Sequence, residues 1–283
     1  TIFTVVMNIL LDVLFILVFG WGIKGAALAT VFSQSLALVY QMRLFTNKKE
    51  ILHLKRGIYG LKGRLVKNIV AIGVSPFLMN VCACFVIIFI NNQLVRYGGD
   101  LMVGAYGIAS AISTVFIMII IGLNQGMQPI AGYNYGAQKI DRLMSVLRIA
   151  MITATIIVAT GWTIAMTIPN LLARIFTDDP TLSTLAMTAI RLNMMVFFVV
   201  GFQMVVTNFF QCIGKVKISI FLSLSRQLLF LLPLLYVFPL IFGVKGVWYA
   251  IPTSDFTAAT VAAIIMSVYM RKFKRQINSQ KNE

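Results

Sequence analysis

The chain has 283 residues, of which 59% are hydrophobic and only 11% are charged, and its mean hydropathy is +0.91. Soluble domains carry roughly 25% charged residues, so this composition excludes a soluble globular fold. The formal net charge of +16 would favour nucleic-acid binding if the basic residues shared one soluble face. They lie instead in the gaps between apolar runs, so we expect a lipid bilayer as partner and no nucleic acid.

Eight apolar segments follow one another along the chain, and each is long enough, or nearly so, to cross a membrane. A hydrocarbon core of roughly 30 Å requires about 20 apolar residues in a helix. The segments are Thr1–Phe19, Gly25–Phe45, Val66–Val95, Leu101–Leu123, Leu143–Pro169, Ser183–Cys212, Ile218–Phe242 and Val247–Met270. The sequence therefore predicts an all-α, polytopic membrane helix bundle with eight transmembrane helices. Because Thr1 already lies inside an apolar run, we expect the first helix to begin upstream of it.

The basic residues between these segments predict the orientation of the helices. Alternate gaps hold nineteen Lys and Arg residues on one side and four on the other. The gaps rich in basic residues are Arg43–Lys67, Lys139–Arg148, Lys215–Arg226 and Arg271–Lys281. The gaps poor in basic residues hold only Lys24, Arg96, Arg174 and Lys245. Since cytoplasmic loops carry the excess of positive charge, we expect both chain ends in the cytoplasm, in a multi-pass protein of a prokaryotic inner membrane.

The longest polar stretch, residues 47–64, divides the chain into two groups of helices. We interpret it as a cytoplasmic connector between two lobes, with His53 as a solvated loop residue rather than a ligand. Residues 1–46 would then hold the last two helices of an N-terminal lobe, and residues 65–270 a C-terminal lobe of six helices. Residues 271–283 would form a basic cytoplasmic tail.

A short motif occurs twice and indicates an internal duplication. The four residues from Gly22 to Gly25 read Gly-Ile-Lys-Gly, and those from Gly243 to Gly246 read Gly-Val-Lys-Gly, at an outer turn in both places. Six helices separate the copies, so both point the same way across the membrane. Lobes duplicated in this way are related by an axis along the membrane normal. The intact protein is therefore expected to have twelve helices in two lobes, four of them upstream.

The segment from Gly122 to Ala137 strongly resembles the signature loop of the multidrug and toxic compound extrusion (MATE) family. The spacing of Asn8 and Asp12, followed by the stretch from Gly22 to Thr30, is similar to the fifth and sixth helices of that family. The resemblance covers the whole chain, as the fifth to twelfth helices, and the bacterial multidrug export proteins are the most similar branch. Inside the signature loop we expect a tight turn at the cytoplasmic end of the lobe. The residues assigned to this loop are Gly122, Gln125, Gly126, Gln128, Pro129, Gly132 and Gly136.

The resemblance implies a secondary active transporter with two six-helix lobes. Such a protein expels cationic, amphipathic compounds, including drugs, in exchange for H+ or Na+ by alternating access. It needs no cofactor besides the coupling ion, and we expect it to be monomeric when intact. An enzyme is not expected, because the chain has a single His, no metal-binding cluster and no nucleophile–base motif.

Asp12 is the residue that we expect to carry ion coupling. It lies about seven residues, or roughly 10 Å, from the outer end of its predicted helix. A carboxylate at such a depth costs on the order of 3 kcal/mol and usually faces a cavity. Asn8 lies one turn back on the same face, and Thr30 lies at a comparable depth on the next helix. Together they offer the oxygen ligands that a hard cation prefers, and Na+ at Asp12 is the one metal interaction that the sequence suggests.

Two alternatives stay open for the intramembrane acids. Asp12 could serve only as a polar contact to a neighbouring helix, although in the family the matching residues form a network with an acid on the first helix. Asp255 could bind the coupling ion or a substrate cation, or it could pair with Arg226. The depths of Asp255 and Arg226 differ by roughly 10 Å when they are counted along straight helices.

The segments Val66–Val95 and Ser183–Cys212 contain no acidic residue and offer amides instead. These amides could line a substrate cavity, or they could form packing hydrogen bonds between helices. Flexible methionines would suit a cavity of broad specificity. The residues assigned to a substrate cavity are Asn80, Asn91, Asn193, Met194, Gln203 and Asp255.

The nearest rival function is a lipid-linked oligosaccharide or polysaccharide flippase of a related fold. We would expect such a flippase to line its cavity with Arg and Lys for pyrophosphate. The apolar segments of this chain hold almost no basic residue, which favours the multidrug exporter.

Overall fold

The computed structural model describes residues 2–47, 60 and 63–282. All regular elements in these ranges are helical. The helices are α1 Ile2–Asp12, α2 Gly22–Thr46, α3 Gly63–Gly98, α4 Asp100–Gly136, α5 Ile140–Thr167, α6 Pro169–Arg174, α7 Pro180–Asn193, α8 Phe198–Cys212, α9 Val216–Leu224, α10 Leu232–Phe242 and α11 Val244–Asn282. Two π-helical segments, Val13–Val18 and Ser225–Leu231, extend α1 and join α9 to α10.

The apolar helices confirm the predicted all-α membrane bundle. Within the described residues, six helical stretches are long and apolar enough to cross a membrane, and the bent pair of α7 and α8 has the length and composition for a seventh crossing when the two helices are taken together. The eighth predicted segment corresponds to the shorter apolar helix Phe3–Val18. The six long stretches are Gly22–Thr46, Phe77–Gly98, Asp100–Gly136, Ile140–Thr167, Val216–Phe242 and Val244–Phe273.

The chain divides into two compact units, Thr1–Val66 and Lys67–Glu283. The predicted connector, residues 47–64, lies for the most part outside the described residues, and so does His53. The predicted basic tail continues the last helix, because α11 extends to Asn282.

The first unit is a helix pair packed through small side chains. The residues of α2 that are buried are Gly25, Ala29, Ser33 and Ala37, which are spaced four apart along one face. Such a stripe lets two membrane helices approach closely, because no large side chain separates the backbones. An added Cβ on Gly25 would lie only 2.9 Å from the carbonyl oxygen of Phe15.

The second unit is held together by two clusters of buried apolar side chains. One cluster joins α3, α4, α7 and α10 and includes Ile90, Leu94, Ile190 and Leu235. The other joins α5, α8, α9 and α11 and includes Leu143, Leu147, Phe209, Phe210 and Leu222. Because lipid is as apolar as these side chains, close packing and hydrogen bonds between the helices hold them together.

The structure shows that the predicted segment Ser183–Cys212 is not one continuous helix. The helix breaks after Asn193, and α7 and α8 are bent by 52°. The break contains neither Gly nor Pro, so contacts with other helices hold it. Asn193 Nδ2 donates a hydrogen bond to Ser113 Oγ at 2.9 Å, and Trp162 Nε1 donates one to the carbonyl of Met195 at 3.1 Å. These bonds satisfy polar groups that cannot reach water inside a membrane.

The expected tight turn in the signature loop is wrong, because these residues continue α4 without interruption to Gly136. A helix satisfies its own backbone hydrogen bonds, and this advantage outweighs the weak helix propensity of the glycines in lipid. Pro129 lies inside the helix and has no N–H to donate to the preceding turn. An added Cβ on Gly132 would lie 3.8 Å from the carbonyl oxygen of Cys212. The residues in this helical stretch are Gly122, Gln125, Gly126, Gln128, Pro129, Gly132 and Gly136.

The repeated glycine motif forms the same kind of turn in both places. The first glycine of each copy has a positive φ, 52° at Gly22 and 58° at Gly243. The second glycine lies in the first turn of the next helix, so close to the preceding helix that an added Cβ on Gly25 or Gly246 would meet a backbone carbonyl at 2.9 Å or less. The motif is therefore explained by one physical need, a tight reversal between two antiparallel helices.

We predict that Gly246→Ala destabilises the second unit. The added methyl group would overlap the backbone carbonyl of Phe238, so the turn must open. Overpacking of this kind costs about 1–3 kcal/mol. Thermal unfolding of the purified protein, followed by tryptophan fluorescence, should show a lower Tm.

Gly107→Ala is the matched control, because Gly107 is an exposed helical residue with nothing within 4 Å of an added Cβ. Alanine favours a helix more than glycine does, so this variant should melt no lower than the unmodified protein. Equal Tm values for both variants would show that the close approach at Gly246 is dispensable.

Candidate functional site

A polar cavity of about 480 Å³ lies among the helices of the second unit. Its walls come from α3, α4, α8, the end of α9 and the π-helical segment Ser225–Leu231. Eight of its side chains are amides, and Thr207, Ser223 and Arg226 add further polar groups. Met79, Ile121 and Met204 supply the apolar part of the wall. The amides are Asn80, Asn124, Gln125, Gln128, Gln203, Asn208, Gln211 and Gln227.

Three of these amides keep a carbonyl oxygen that is buried and has no hydrogen-bond partner. The atoms are Asn124 Oδ1, Gln203 Oε1 and Gln227 Oε1. Buried polar atoms are normally paired, and an unpaired one costs about 1–3 kcal/mol. The three oxygens therefore show that polar side chains of the cavity wall are not fully satisfied by the protein's own groups.

The structure brings together only part of the predicted substrate cavity. Asn80 and Gln203 line it. Asn193 bonds to Ser113 and so acts as the packing amide that was the open alternative. Met194 is fully buried in the apolar cluster of α3, α4, α7 and α10, and Asn91, which is partly buried on α3, does not line the cavity.

Thr207 and Gln211 line the cavity but were missed when the sequence was read alone, although a signal was present. Met204, Thr207, Asn208 and Gln211 recur at three- and four-residue intervals, which places them on one face of α8. A polar face on a helix in an otherwise apolar run indicates a cavity rather than lipid.

Arg226 and Asp255 form an ion pair between the π-helical segment and α11. Arg226 Nε lies 3.2 Å from Asp255 Oδ1, and their side chains are 26% and 12% exposed. Of the alternatives for Asp255, pairing is the one that the structure adopts, and Asp255 is not among the cavity-lining residues. The depth estimate was misleading because it counted residues along straight helices and ignored the reach of the arginine side chain. The pair neutralises the one charged side chain among the described residues of the cavity wall.

The predicted ion-coupling residues lie in the first unit. Asp12 is the last residue of α1, and Asn8 lies one turn before it. Both side chains are partly buried, and neither Asp12 Oδ1 nor Asn8 Nδ2 has a hydrogen-bond partner. The hydroxyl of Thr30, an exposed residue, donates to the carbonyl of Ala26 at 3.0 Å, which leaves its oxygen free to accept or to bind a cation.

In each unit a charged residue lies at the start of a π-helical segment. The π-helical segment Val13–Val18 begins directly after Asp12, and Arg226 is the second residue of the segment Ser225–Leu231. π-helices make up well under 1% of residues in globular proteins and occur frequently at functional sites. No group of three or more His, Cys, Asp or Glu side chains that could hold a metal ion occurs in the part of the chain that the structure describes.

The fold and the cavity define a polytopic α-helical membrane protein with a polar, ligand-sized chamber inside its second unit. The chain belongs to the MatE family, whose model matches residues 74–237.

The chain is similar to named multidrug export proteins. It is 24% identical over 263 residues to the multidrug export protein MepA of Staphylococcus saprophyticus. This match covers 93% of this chain and 58% of the relative. It is also 24% identical to MepA of Staphylococcus aureus, over 92% of this chain and 57% of the relative. The chain thus spans less than three fifths of the length of these relatives.

Solved structures share the fold. The MATE multidrug transporter DinF-BH is 36% identical, with a TM-score of 0.83, and the match covers 94% of this chain and 60% of that protein. MATE in complex with MaL6 is 22% identical, with a TM-score of 0.87 over 97% of this chain and 62% of that one. At this lower identity the likeness shows the fold alone.

We predict that Arg226 and Asp255 are energetically coupled. Arg226→Gln leaves the Asp255 carboxylate largely buried without its partner, which should cost about 3 kcal/mol of unfolding free energy, and Asp255→Asn should cost less because Arg226 is more exposed. The double variant should lose less than the sum of the single losses, by about 0.5–3 kcal/mol. The four proteins would be compared by thermal or denaturant unfolding in detergent.

Asp178→Asn serves as the control, because Asp178 is an exposed loop residue and should change stability by less than about 0.5 kcal/mol. Additive losses in the double-variant cycle would mean that the ion pair contributes nothing.

Proposed function

We propose that this chain is the C-terminal part of a secondary active multidrug efflux transporter. The observation that carries the proposal is the amide-lined cavity of about 480 Å³ inside an otherwise apolar helix bundle. Volumes between about 300 and 1,000 Å³ are typical of sites for small molecules. The multidrug export proteins among the relatives support efflux as the direction of transport.

Substrates are proposed to be amphipathic cations, including drugs, that move by alternating access. The apolar wall formed by Met79, Ile121 and Met204 supports an amphipathic ligand, because unbranched thioether side chains adapt to different shapes.

Ion coupling is proposed for Asn8, Asp12 and Thr30, with H+ or Na+ as the coupling ion. The unpartnered Asp12 Oδ1 supports this role, since a buried carboxylate oxygen without a donor is ready to take a proton or to bind a cation. Thr30 can add a hydroxyl oxygen. No cofactor is part of the proposed cycle.

Asp12→Asn in the intact protein should abolish ion-driven export, because the amide cannot take up and release a proton and binds a cation weakly. The measurement is efflux of a fluorescent dye from energised cells, with the protein level checked by immunoblotting. Asp100→Asn is the control, since Asp100 is exposed at the start of α4 and has no proposed role. Undiminished efflux by the Asp12 variant would refute coupling at this residue.

The orientation is proposed from charge, with the C-terminus in the cytoplasm of a prokaryotic cell. Nineteen basic residues in alternate gaps against four support it. A green fluorescent protein fused after Glu283 should fluoresce, whereas alkaline phosphatase fused there should stay inactive. The opposite pair of results would invert the topology.

A further inference from the structure

The oxygens of four amides in the cavity wall are either enclosed by the protein or already bonded. Asn124 Oδ1, Gln203 Oε1 and Gln227 Oε1 are buried and have no hydrogen-bond partner. Asn208 Oδ1 accepts a hydrogen bond from Cys212 Sγ at 3.4 Å. A ligand inside the cavity cannot reach the three enclosed oxygens, and the fourth oxygen already has a donor.

The NH2 groups of these amides are the ends that a ligand can reach. No described residue accepts a hydrogen bond from any of the four nitrogens, and none of the nitrogens is enclosed as the oxygens are. Enclosing the oxygen is the favoured orientation, because it leaves one acceptor unpaired instead of two donors. Gln203 is 3% exposed and Asn124 is 6% exposed, so both donors are built into the wall.

Arg226 is the one charged side chain among the described residues of the wall, and it is a donor as well. A guanidinium group has five N–H donors and no acceptor. Its Nε lies 3.2 Å from Asp255 Oδ1, and a single carboxylate engages at most two of the five donors in a bidentate pair. The guanidinium therefore keeps donors in excess. Since the described lining contains no carboxylate, the wall is rich in donors and poor in strong acceptors.

We propose that the cavity holds its ligand by a hydrogen-bond acceptor, and that the NH2 groups of Asn124, Gln203 and Gln227 bind a carbonyl, ester or carboxylate oxygen on an amphipathic scaffold. Arg226 reinforces this preference because its charge also favours an acceptor. The positive charge of a cationic ligand meets no opposite charge in the described wall, so it contributes little to this contact. This inference rests on the proposed function for the kind of ligand, and it adds the chemical group that the second unit recognises.

A matched pair of dyes tests the proposal on the purified, intact protein in lipid nanodiscs. Tetramethylrhodamine methyl ester and tetramethylrosamine share a cationic xanthene ring system and a pendant phenyl ring, but only the first dye carries an ester on that phenyl ring. Fluorescence anisotropy titrations give both dissociation constants, and empty nanodiscs correct for partition into lipid. The ester should bind about tenfold more tightly, since either dye displaces water from the donors of the wall and only the ester gives them a partner.

Replacement of the donors should remove the preference. Gln203→Met and Gln227→Met, alone and together, keep an unbranched side chain of similar volume but remove the NH2 groups. The double variant should bring the two affinities to within about threefold, chiefly by weakening the binding of the ester. Gln93→Met is the matched control, because Gln93 also has an enclosed, unpartnered oxygen but lies outside the cavity lining. This control should leave the difference between the dyes unchanged.

Equal affinities of the two dyes for the unmodified protein, or tighter binding of tetramethylrosamine, would overturn the proposal, and this comparison needs no variant to fold. A preference that survives in the Gln203→Met, Gln227→Met double variant would overturn it as well. Efflux of both dyes is measured separately in energised cells. Discrimination in binding without any efflux would count against the proposed transport function alone, whereas efflux with equal binding would count against the recognition of acceptors alone.

Discussion

A membrane interior offers no hydrogen-bond partner, and this constraint underlies the architecture of the chain. Backbone groups must be satisfied inside each helix or by a neighbouring helix. Helix α4 therefore continues through a stretch rich in glycine, and the break between α7 and α8 is accompanied by side-chain bonds from Asn193 and Trp162. Arg226 and Asp255 follow the same rule by pairing with each other. Because most buried polar groups are paired in this way, the buried side-chain atoms that lack a hydrogen-bond partner point to places where the protein has a function.

The unpartnered atoms of the two units differ in chemistry. The first unit presents a carboxylate oxygen, Asp12 Oδ1, which suits a proton or a small cation. The second unit has its unpartnered oxygens on neutral amides, and most of these amides line a cavity whose charged side chain, Arg226, is already paired. In the proposed transporter, ion exchange and ligand recognition are thus served by separate groups. A π-helical segment adjoins Asp12 in one unit and contains Arg226 in the other.

Much of the fold could be predicted because apolar length is a local property of the sequence. The apolar segments, the turns at Gly22 and Gly243, and the helical character of the described residues follow from composition and spacing. The break after Asn193 could not be predicted, since the hydrogen bonds made there reach distant parts of the chain, including Ser113, eighty residues away. The continuous helix through Pro129 was also missed, because a glycine-rich stretch indicates a turn in water but not in lipid.

The sequence by itself determined that the chain crosses a membrane, that acids lie inside it at Asp12 and Asp255, and that one motif is repeated. Only the tertiary structure decided which polar residues share a cavity. The amides of α3, α4, α8 and the segment Ser225–Leu231 are distant in sequence, and each alone is compatible with packing. Helix packing also paired Asp255 with Arg226, because the distance between two side chains depends on how their helices cross and not on their separation along the chain.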